Sequence, residues 1–298
     1  MTSAVPPGTV ATRAAVEAVW RIESTRLVAG LARMVQDLGL AEELAQDALV
    51  LALEQWPAEG VPPNPGGWLM ATAKHRAIDQ LRRRRTYERK LAALGRDQEL
   101  RQGSAVWGTS DLDDELDDYV GDDLLRLVFT ACHPVLATEG RVALTLRLLG
   151  GLTTAEIARA FLVAEPTVAQ RMVRAKRTLT VKQVRLELPP PAELPGRLAS
   201  VLEVVYLIFN EGYSAAAGDD WMRPALCAEA LRLARLLAGL LPGEPEVHGL
   251  LALLEIQASR TAARTGPAGE PVLLADQDRR RWDRLLVRRG LAALRRAE

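Results

Sequence analysis

Aromatic side chains are scarce in this chain, with three Phe, four Tyr and six Trp among 298 residues. Sheet architectures draw on alternating runs of β-branched and aromatic residues, and no such run of useful length occurs, which excludes sandwiches and barrels. Abundant Ala, Leu, Arg and Glu instead predict an all-α fold. Cysteine is limited to Cys132 and Cys227, far apart in the chain. Two cysteines make no disulfide framework, so both are expected in the core of a protein held in a reducing cytoplasm. Cys132 adjoins His133, but no second Cys or His follows at ligand spacing, and phosphate-binding glycine loops and nucleophile motifs are lacking. The expectation is therefore no catalytic set, no metal, no cofactor and no enzymatic activity. No apolar run of about twenty residues is present, and the opening MTSAVPPGTVATR lacks the basic-then-apolar layout of an export signal. A soluble, unexported protein without membrane contact is expected.

Net charge is lacking too: 38 Lys and Arg balance 38 Asp and Glu. The balance conceals segregation, because Lys74 to Lys90 is strongly basic and Asp111 to Asp123 strongly acidic. The average thus hides two opposite surfaces.

The most informative stretch is RVALTLRLLGGLTTAEIARAFLVAEPTVAQRMVRAKRTL, Arg141 to Leu179. A feeder helix breaks at Gly150-Gly151. Thr153 suits the N-cap of a short helix that turns Ile157, Ala158 and Phe161 inward. After the turn Leu162-Val163-Ala164, Glu165-Pro166 starts a second helix, with proline where its missing N–H costs nothing. Val168, Met172, Ala175 and Leu179 form one apolar stripe; Thr167, Gln170, Arg171, Arg174 and Arg177 form a polar, cationic face. This reads as a DNA-binding helix-turn-helix, since Arg and Gln make bidentate contacts to guanine and adenine in the major groove.

Upstream, about Arg13 to Leu38 gives one or two core helices stopped near Gly39. AEELAQDALVLALEQW follows as a helix with Leu44, Ala48, Leu51 and Gln55 on one side and Glu43, Gln46, Asp47, Val50 and Glu54 on the other, a docking face or a solvated surface. Pro57 to Gly67 is expected to be an exposed loop. The next helix, WLMATAKHRAIDQLRRRRTYERK, carries Lys74, His75, Arg76, Arg82, Arg83, Arg84 and Arg85 outward beside Trp68. Such cation density next to flat rings is the footprint of nucleic-acid backbone and stacked bases.

These two blocks, in this order and spacing, resemble regions two and four of the extracytoplasmic-function (group IV) bacterial sigma factors, over roughly the first three fifths of the chain. The resemblance implies a sigma factor that binds core RNA polymerase, through its β′ clamp helices and β flap, and directs promoter-specific initiation. Carried over by residue, Glu43, Gln46, Asp47 and Glu54 match the helix that docks on the β′ clamp helices. Asn64, Trp68, Lys74, His75, Arg76, Asp79, Arg82 and Arg83 match the minus-ten reader, where a base is flipped into the loop. Thr167, Gln170, Arg171 and Arg174 match the minus-thirty-five reader. This sequence departs from the family's usual asparagine at His75, glycine at Leu162 and small pair at Glu165-Pro166.

The resulting organisation is region two over 13–88, an acidic linker over 89–123, region four over 124–185, and a helical C-terminal domain over 192–298. Within region four, a helix from Asp123 to His133 turns Leu124, Leu127, Val128 and Ala131 inward and stops at Pro134. PPPAELP, residues 189–195, reads as a stiff linker. RLASVLEVVYLIFNEGYSA reads as a buried helix, and the two helices joined by Pro-Gly-Glu-Pro are similar to one tetratricopeptide unit. The last helix covers RRRWDRLLVRRGLAALRRAE. This third resembles the tetratricopeptide-like extension of certain group IV sigma factors, which continues further, so a shortened version is expected. Its apolar helices call for a partner, either the sigma half or a separate regulator. Asn210, Glu211, Tyr213, Trp221, His248, Asp276 and Trp282 read as caps and hydrogen-bond partners rather than as a pocket. Two other readings fit parts of the pattern: a helix-turn-helix regulator acting without polymerase, and a helical-repeat interaction protein with an incidental basic face.

Overall fold

The computed structural model describes residues 7–94, 120–214, 222–267 and 270–298. Most of the acidic bridge and Trp221 therefore lie outside the described residues. Among the described residues there is no strand, only an isolated bridge between Thr265 and Pro271, and the all-α expectation holds. The chain divides into two compact units: one reaches from the N-terminus to Leu127 and includes Arg185–Leu188, and the other combines Val128–Val184 with Pro189–Glu298.

The first unit holds α1 (Pro7–Val35), α2 (Leu38–Glu59) and α3 (Pro65–Leu94). The break expected near Gly39 falls earlier, and Gly39 lies inside α2. Gln36 takes a left-handed conformation with φ 53° while its side-chain amide donates to the Arg33 carbonyl at 2.8 Å. Asp37 then caps α2, its carboxylate accepting the Leu40 N–H at 3.0 Å. Two polar side chains thus do the work for which glycine is usually needed. The expected loop from Pro57 is also shorter, because α2 runs through Pro57 to Glu59. A proline in the last turn forfeits one backbone bond only, and the turn still closes through the Gly60 N–H on the Trp56 carbonyl at 2.9 Å.

Small side chains let these helices approach closely. Leu31 and Ala32 of α1, Ala41, Leu44, Ala45 and Ala48 of α2, and Ala73 and Ala77 of α3 are almost fully buried, as is Trp56. Leu51 and Gln55, expected on the inner side, are half-buried; α2 packs against both α1 and α3, which turns Ala45, Ala52 and Trp56 inward.

Helix α4 (Val120–Ala131) begins in what reads as an acidic tether. Asp122 and Asp123 occupy its first turn, where the helix dipole favours negative charge. Asp123 is buried and ion-paired with Arg33 of α1 and with Arg126, both at 3.1 Å. The acidic run therefore ends in a structural carboxylate, and α3 likewise extends past residue 88 to Leu94.

The second unit contains α5 (Thr138–Leu148), α6 (Thr154–Ala160), α7 (Glu165–Val181), α8 (Leu194–Tyr213), α9 (Pro224–Leu240), α10 (Pro245–Ala258) and α11 (Arg284–Ala297). Pro195 sits in the first turn of α8, so the proline linker is shorter than its composition suggests. The last helix also starts later than expected: Arg279–Arg281 form a 3-10 turn and Asp283 caps α11. Gly212 is required where α8 meets α9, since a Cβ there would stand 2.7 Å from the Cys227 nitrogen. Val128 and Cys132 beside α4, Thr145 on α5, Val201 and Val205 on α8 and Leu233 on α9 border a single small void. The hydrophobic core is thus continuous from the helix-turn-helix segment into the C-terminal helices. Both cysteines are buried free thiols, and burial pushes each up to about 11, which keeps them protonated and inert.

His133 stops α4 and is sensitive to acid. Its ring Nδ1 accepts the Val135 N–H at 3.0 Å, and burial, aided by Arg197, holds its pKa down to about 4 from the usual 6.5. Below the unfolded value the unfolded chain binds a proton that the folded state resists, so stability is full above about pH 6.5 and falls as pH drops toward 4. Denaturant unfolding followed across that window should show the decline, and His133→Asn, which keeps an acceptor for Val135 without a titrating ring, should flatten it. An unchanged slope in that variant would assign the acid sensitivity elsewhere.

Candidate nucleic-acid interface

Two cationic surfaces are built in different ways. In the second unit, Gly151 at φ 66° turns the chain after α5, and Thr153 forms a complete capping box with Glu156. The Thr153 hydroxyl accepts the Glu156 N–H at 3.2 Å and the Glu156 carboxylate accepts the Thr153 N–H at 2.8 Å. Leu162 then takes φ 49°, a left-handed turn made without glycine, and its side chain is exposed. That cost is offset by packing on either side, since Ile157 and Ala158 before the turn and Val168 after it are buried. Proline near the start of α7 and the buried stripe Val168, Met172, Ala175 and Leu179 follow the sequence reading.

That stripe fixes what α7 shows to solvent. Gln170, Arg174 and Arg177 are exposed, and Thr167 and Arg171 are half-buried. Arg171 borders a cleft of about 200 Å³ whose other walls include Thr138 and Val142 of α5, Phe161, and Leu207 and Glu211 of α8. One side of the recognition-type helix is therefore walled by the C-terminal extension.

The extension is bonded to backbone carbonyls at the ends of helices that precede it. Arg197 donates to the Phe129 carbonyl at 2.8 Å, Ser200 to the Cys132 carbonyl at 2.6 Å, and Arg223 to the Ala160 carbonyl at 2.6 Å. Arg232 reaches the Leu149 carbonyl. These acceptors lie at the C-terminal ends of α4, α6 and α5, where the helix dipole favours cations. Arg141 of α5, buried, answers with donors to Ser200 at 2.6 Å and Glu203 at 2.8 Å. Sequence reasoning missed all five residues; an arginine at a helix start or finish gives no sign of which distant carbonyl it serves. Three of the extension's polar residues act as partners: Glu211 pairs with Arg223, Arg264 stacks over the Tyr213 ring at 3.5 Å, and His248 Nε2 meets the Pro242 carbonyl at 3.0 Å; against expectation, Asn210 and Glu211 also line the cleft beside Arg171.

In the first unit, α2 exposes Glu43, Glu54 and Val50, and α3 exposes His75, Asp79, Arg82 and Arg83. The acidic and basic faces meet where Asp47 pairs with Arg76 at 2.6 Å. Gln46 donates along its own helix to Glu42 at 3.1 Å, and Lys74 is half-buried. Trp68 is half-buried, with its ring 5.4 Å from that of Trp56 in an edge arrangement. Asn64 caps α3, its side-chain oxygen accepting the Gly67 N–H at 2.9 Å.

Residues 22–87 match the sigma-70 region 2 family, 126–179 the sigma-70 region 4 family, and 197–298 a family of unknown function, DUF6596. An uncharacterized protein of Rhizobium meliloti (strain 1021) is 42% identical over 272 residues; the match takes in 89% of this chain and 61% of that protein. The ECF RNA polymerase sigma factor SigK of Mycobacterium ulcerans (strain Agy99) is 30% identical over 162 residues, covering 52% of this chain and 78% of that protein. No solved structure matches. No helix among the described residues is long and apolar enough to cross a membrane.

The cap at Asn64 separates structure from recognition. Asn64→Ala should lower the unfolding free energy by about 1 kcal/mol, whereas Asn64→Asp, which keeps the acceptor, should stay within a few tenths of wild type. Thermal and urea unfolding of the full chain decides this, and equal loss in both variants would mean that the side chain is not acting as a cap.

Proposed function

The chain belongs to the extracytoplasmic-function RNA polymerase sigma factors, and from that membership we propose that it binds core RNA polymerase and directs initiation at promoters with paired minus-thirty-five and minus-ten elements. The observation that carries this reading is the pairing of a buried-stripe, cationic-face helix α7 with a separate unit that sets an acidic helix, α2, beside a basic one, α3. A regulator acting without polymerase has no use for the second arrangement.

In this reading Glu43, Gln46, Asp47 and Glu54 form the polymerase-facing arc, with the exposed Val50 as its apolar centre. Asn64, Trp68, Lys74, His75, Arg76, Asp79, Arg82 and Arg83 engage the minus-ten element, with Arg82 and Arg83 on phosphates. Thr167, Gln170 and Arg174 meet base edges of the minus-thirty-five element, and Arg171 works from the margin of its cleft. The protein makes no bond itself, works in the cytoplasm, and holds its extension fixed against region four as a regulatory module.

Retention of core polymerase on the immobilised full chain tests the docking surface. Glu43→Lys with Glu54→Lys should abolish retention while unfolding free energy stays within about 1 kcal/mol of wild type, because exposed substitutions act weakly on stability. Undiminished retention would remove α2 from the interface.

Base and phosphate contacts separate in holoenzyme binding to a set of promoter variants. Arg174→Ala should cost about 1–3 kcal/mol on the preferred sequence and relax selectivity at one position, whereas Arg83→Ala should weaken all sequences alike and flatten the salt dependence. Equal losses for both variants on every sequence would contradict the division.

A further inference from the structure

The far end of the extension carries a charge that its own fold does not explain. Between Arg279 and Arg296 stand eight arginines and one acidic residue, Asp283, in a chain whose formal net charge is zero overall. All eight arginines are exposed, and among the described residues none forms an ion pair. Asp283 is already committed, accepting the Leu285 and Leu286 N–H groups at 2.8 and 3.1 Å as the cap of α11. Asp278 is spent in the same way on the Arg280 N–H at 2.9 Å.

Helix electrostatics account for only part of this density. Arg295 and Arg296 sit in the last turn of α11, where cations complement the dipole. Arg279, Arg280, Arg281 and Arg284 crowd its positive end, where the dipole opposes them. Arg281 donates to the Thr265 carbonyl at 3.3 Å and Arg279 lies over the Trp282 ring at 5.8 Å, but neither contact neutralises charge, and a cationic cluster at this helix end points to an external polyanion. The helical spacing of Arg284, Arg288 and Arg295 sets these three on one side of α11, away from Leu286, Gly290 and Ala293. The inner side is occupied: Gly290 lies so close to α10 that a Cβ would stand 2.6 Å from Ile256 and 3.2 Å from the Ala252 carbonyl. An interfacial helix must free a continuous apolar face to enter a bilayer; here Gly290 is packed on α10 and Ala293 is buried, while the exposed Leu285, Leu291 and Leu294 are spread round the helix among the arginines rather than gathered on one side. Guanidinium groups presented on a rigid, packed helix suit phosphates in a fixed array.

We propose that the arginine surface of the 3-10 turn Arg279–Arg281 and helix α11 is a sequence-independent contact for the DNA phosphate backbone, additional to the readers in α3 and α7. The proposal rests on the sigma-factor reading for its choice of DNA. The surface belongs to the same compact unit as α7, so it travels with the recognition helix when that helix engages a promoter. The extension then adds affinity without adding selectivity.

The test is holoenzyme binding to promoter duplex and to an unrelated duplex, followed by fluorescence anisotropy over a fourfold range of salt. Each phosphate contact removed should shrink the salt-induced loss of affinity by about 3.5-fold. A variant with Arg284, Arg288, Arg289, Arg295 and Arg296 each changed to Gln should therefore shrink it by roughly tenfold or more on both duplexes, with promoter selectivity unchanged. The matching five-site Arg→Lys variant keeps the charge and should keep the wild-type salt dependence. If the Gln variant does not fold, Arg279→Gln with Arg280→Gln, outside the helix, serves in its place. Unchanged salt dependence in a folded Gln variant overturns the proposal while leaving the sigma reading intact. Failure of the wild-type chain to retain core polymerase overturns that reading, and the proposal with it. Stronger arginine-dependent binding to phosphatidylglycerol vesicles than to either duplex overturns the choice of DNA.

Discussion

A buried guanidinium needs partners, and Arg141 finds them on another part of the chain. Its donors to Ser200 and Glu203 tie α5 to α8, while the Ser200 hydroxyl donates a hydrogen bond to the Cys132 carbonyl at the end of α4. A buried charge left without such partners is among the costlier defects a fold can carry. The position of α8 against region four is therefore strongly determined. Once α8 is placed, Arg197, Arg223 and Arg232 fall within reach of the open helix ends, and Val201, Val205 and Leu233 complete the core around Cys132 and Thr145.

This arrangement changes what the extension is. A tetratricopeptide-like pair joined by a flexible linker would move independently of the DNA-binding segment. Here the short connection through Pro189 to Glu193 leads directly into a helix that shares the core of region four. The extension thus forms one wall beside Arg171 and leaves Gln170 and Arg174 in solvent. What α7 shows to solvent and the placement of α8 are mechanically one problem.

The first unit meets a different constraint. Alanines at the α1, α2 and α3 contacts bring the backbones together, and Trp56 fills the volume that those small side chains leave. Its edge contact orients the Trp68 ring in the first turns of the basic helix α3. The ion pair between Asp47 and Arg76 is exposed, so it adds little stability. It does hold charges of opposite sign at the border of the two faces, which gives the unit one acidic side and one basic side.

Local chemistry was legible from the residues alone. The capping box at Thr153, the proline start of α7, its buried stripe and the helical class all follow from spacings of three and four residues and from side chains that act on their own backbone. The helix ends that the sequence placed wrongly, at Gly39 and Pro57, are those where glycine and proline signals were overruled, by the caps at Gln36 and Asp37 and by a last turn that tolerates one missing bond. Residues joined over long separations were not legible. Arg141 and Ser200 stand 59 positions apart, and Arg232 and Leu149 83. No local pattern encodes which carbonyl an arginine will reach; only the packing of α8 and α9 on region four brings those groups together, and with them one wall of the recognition helix.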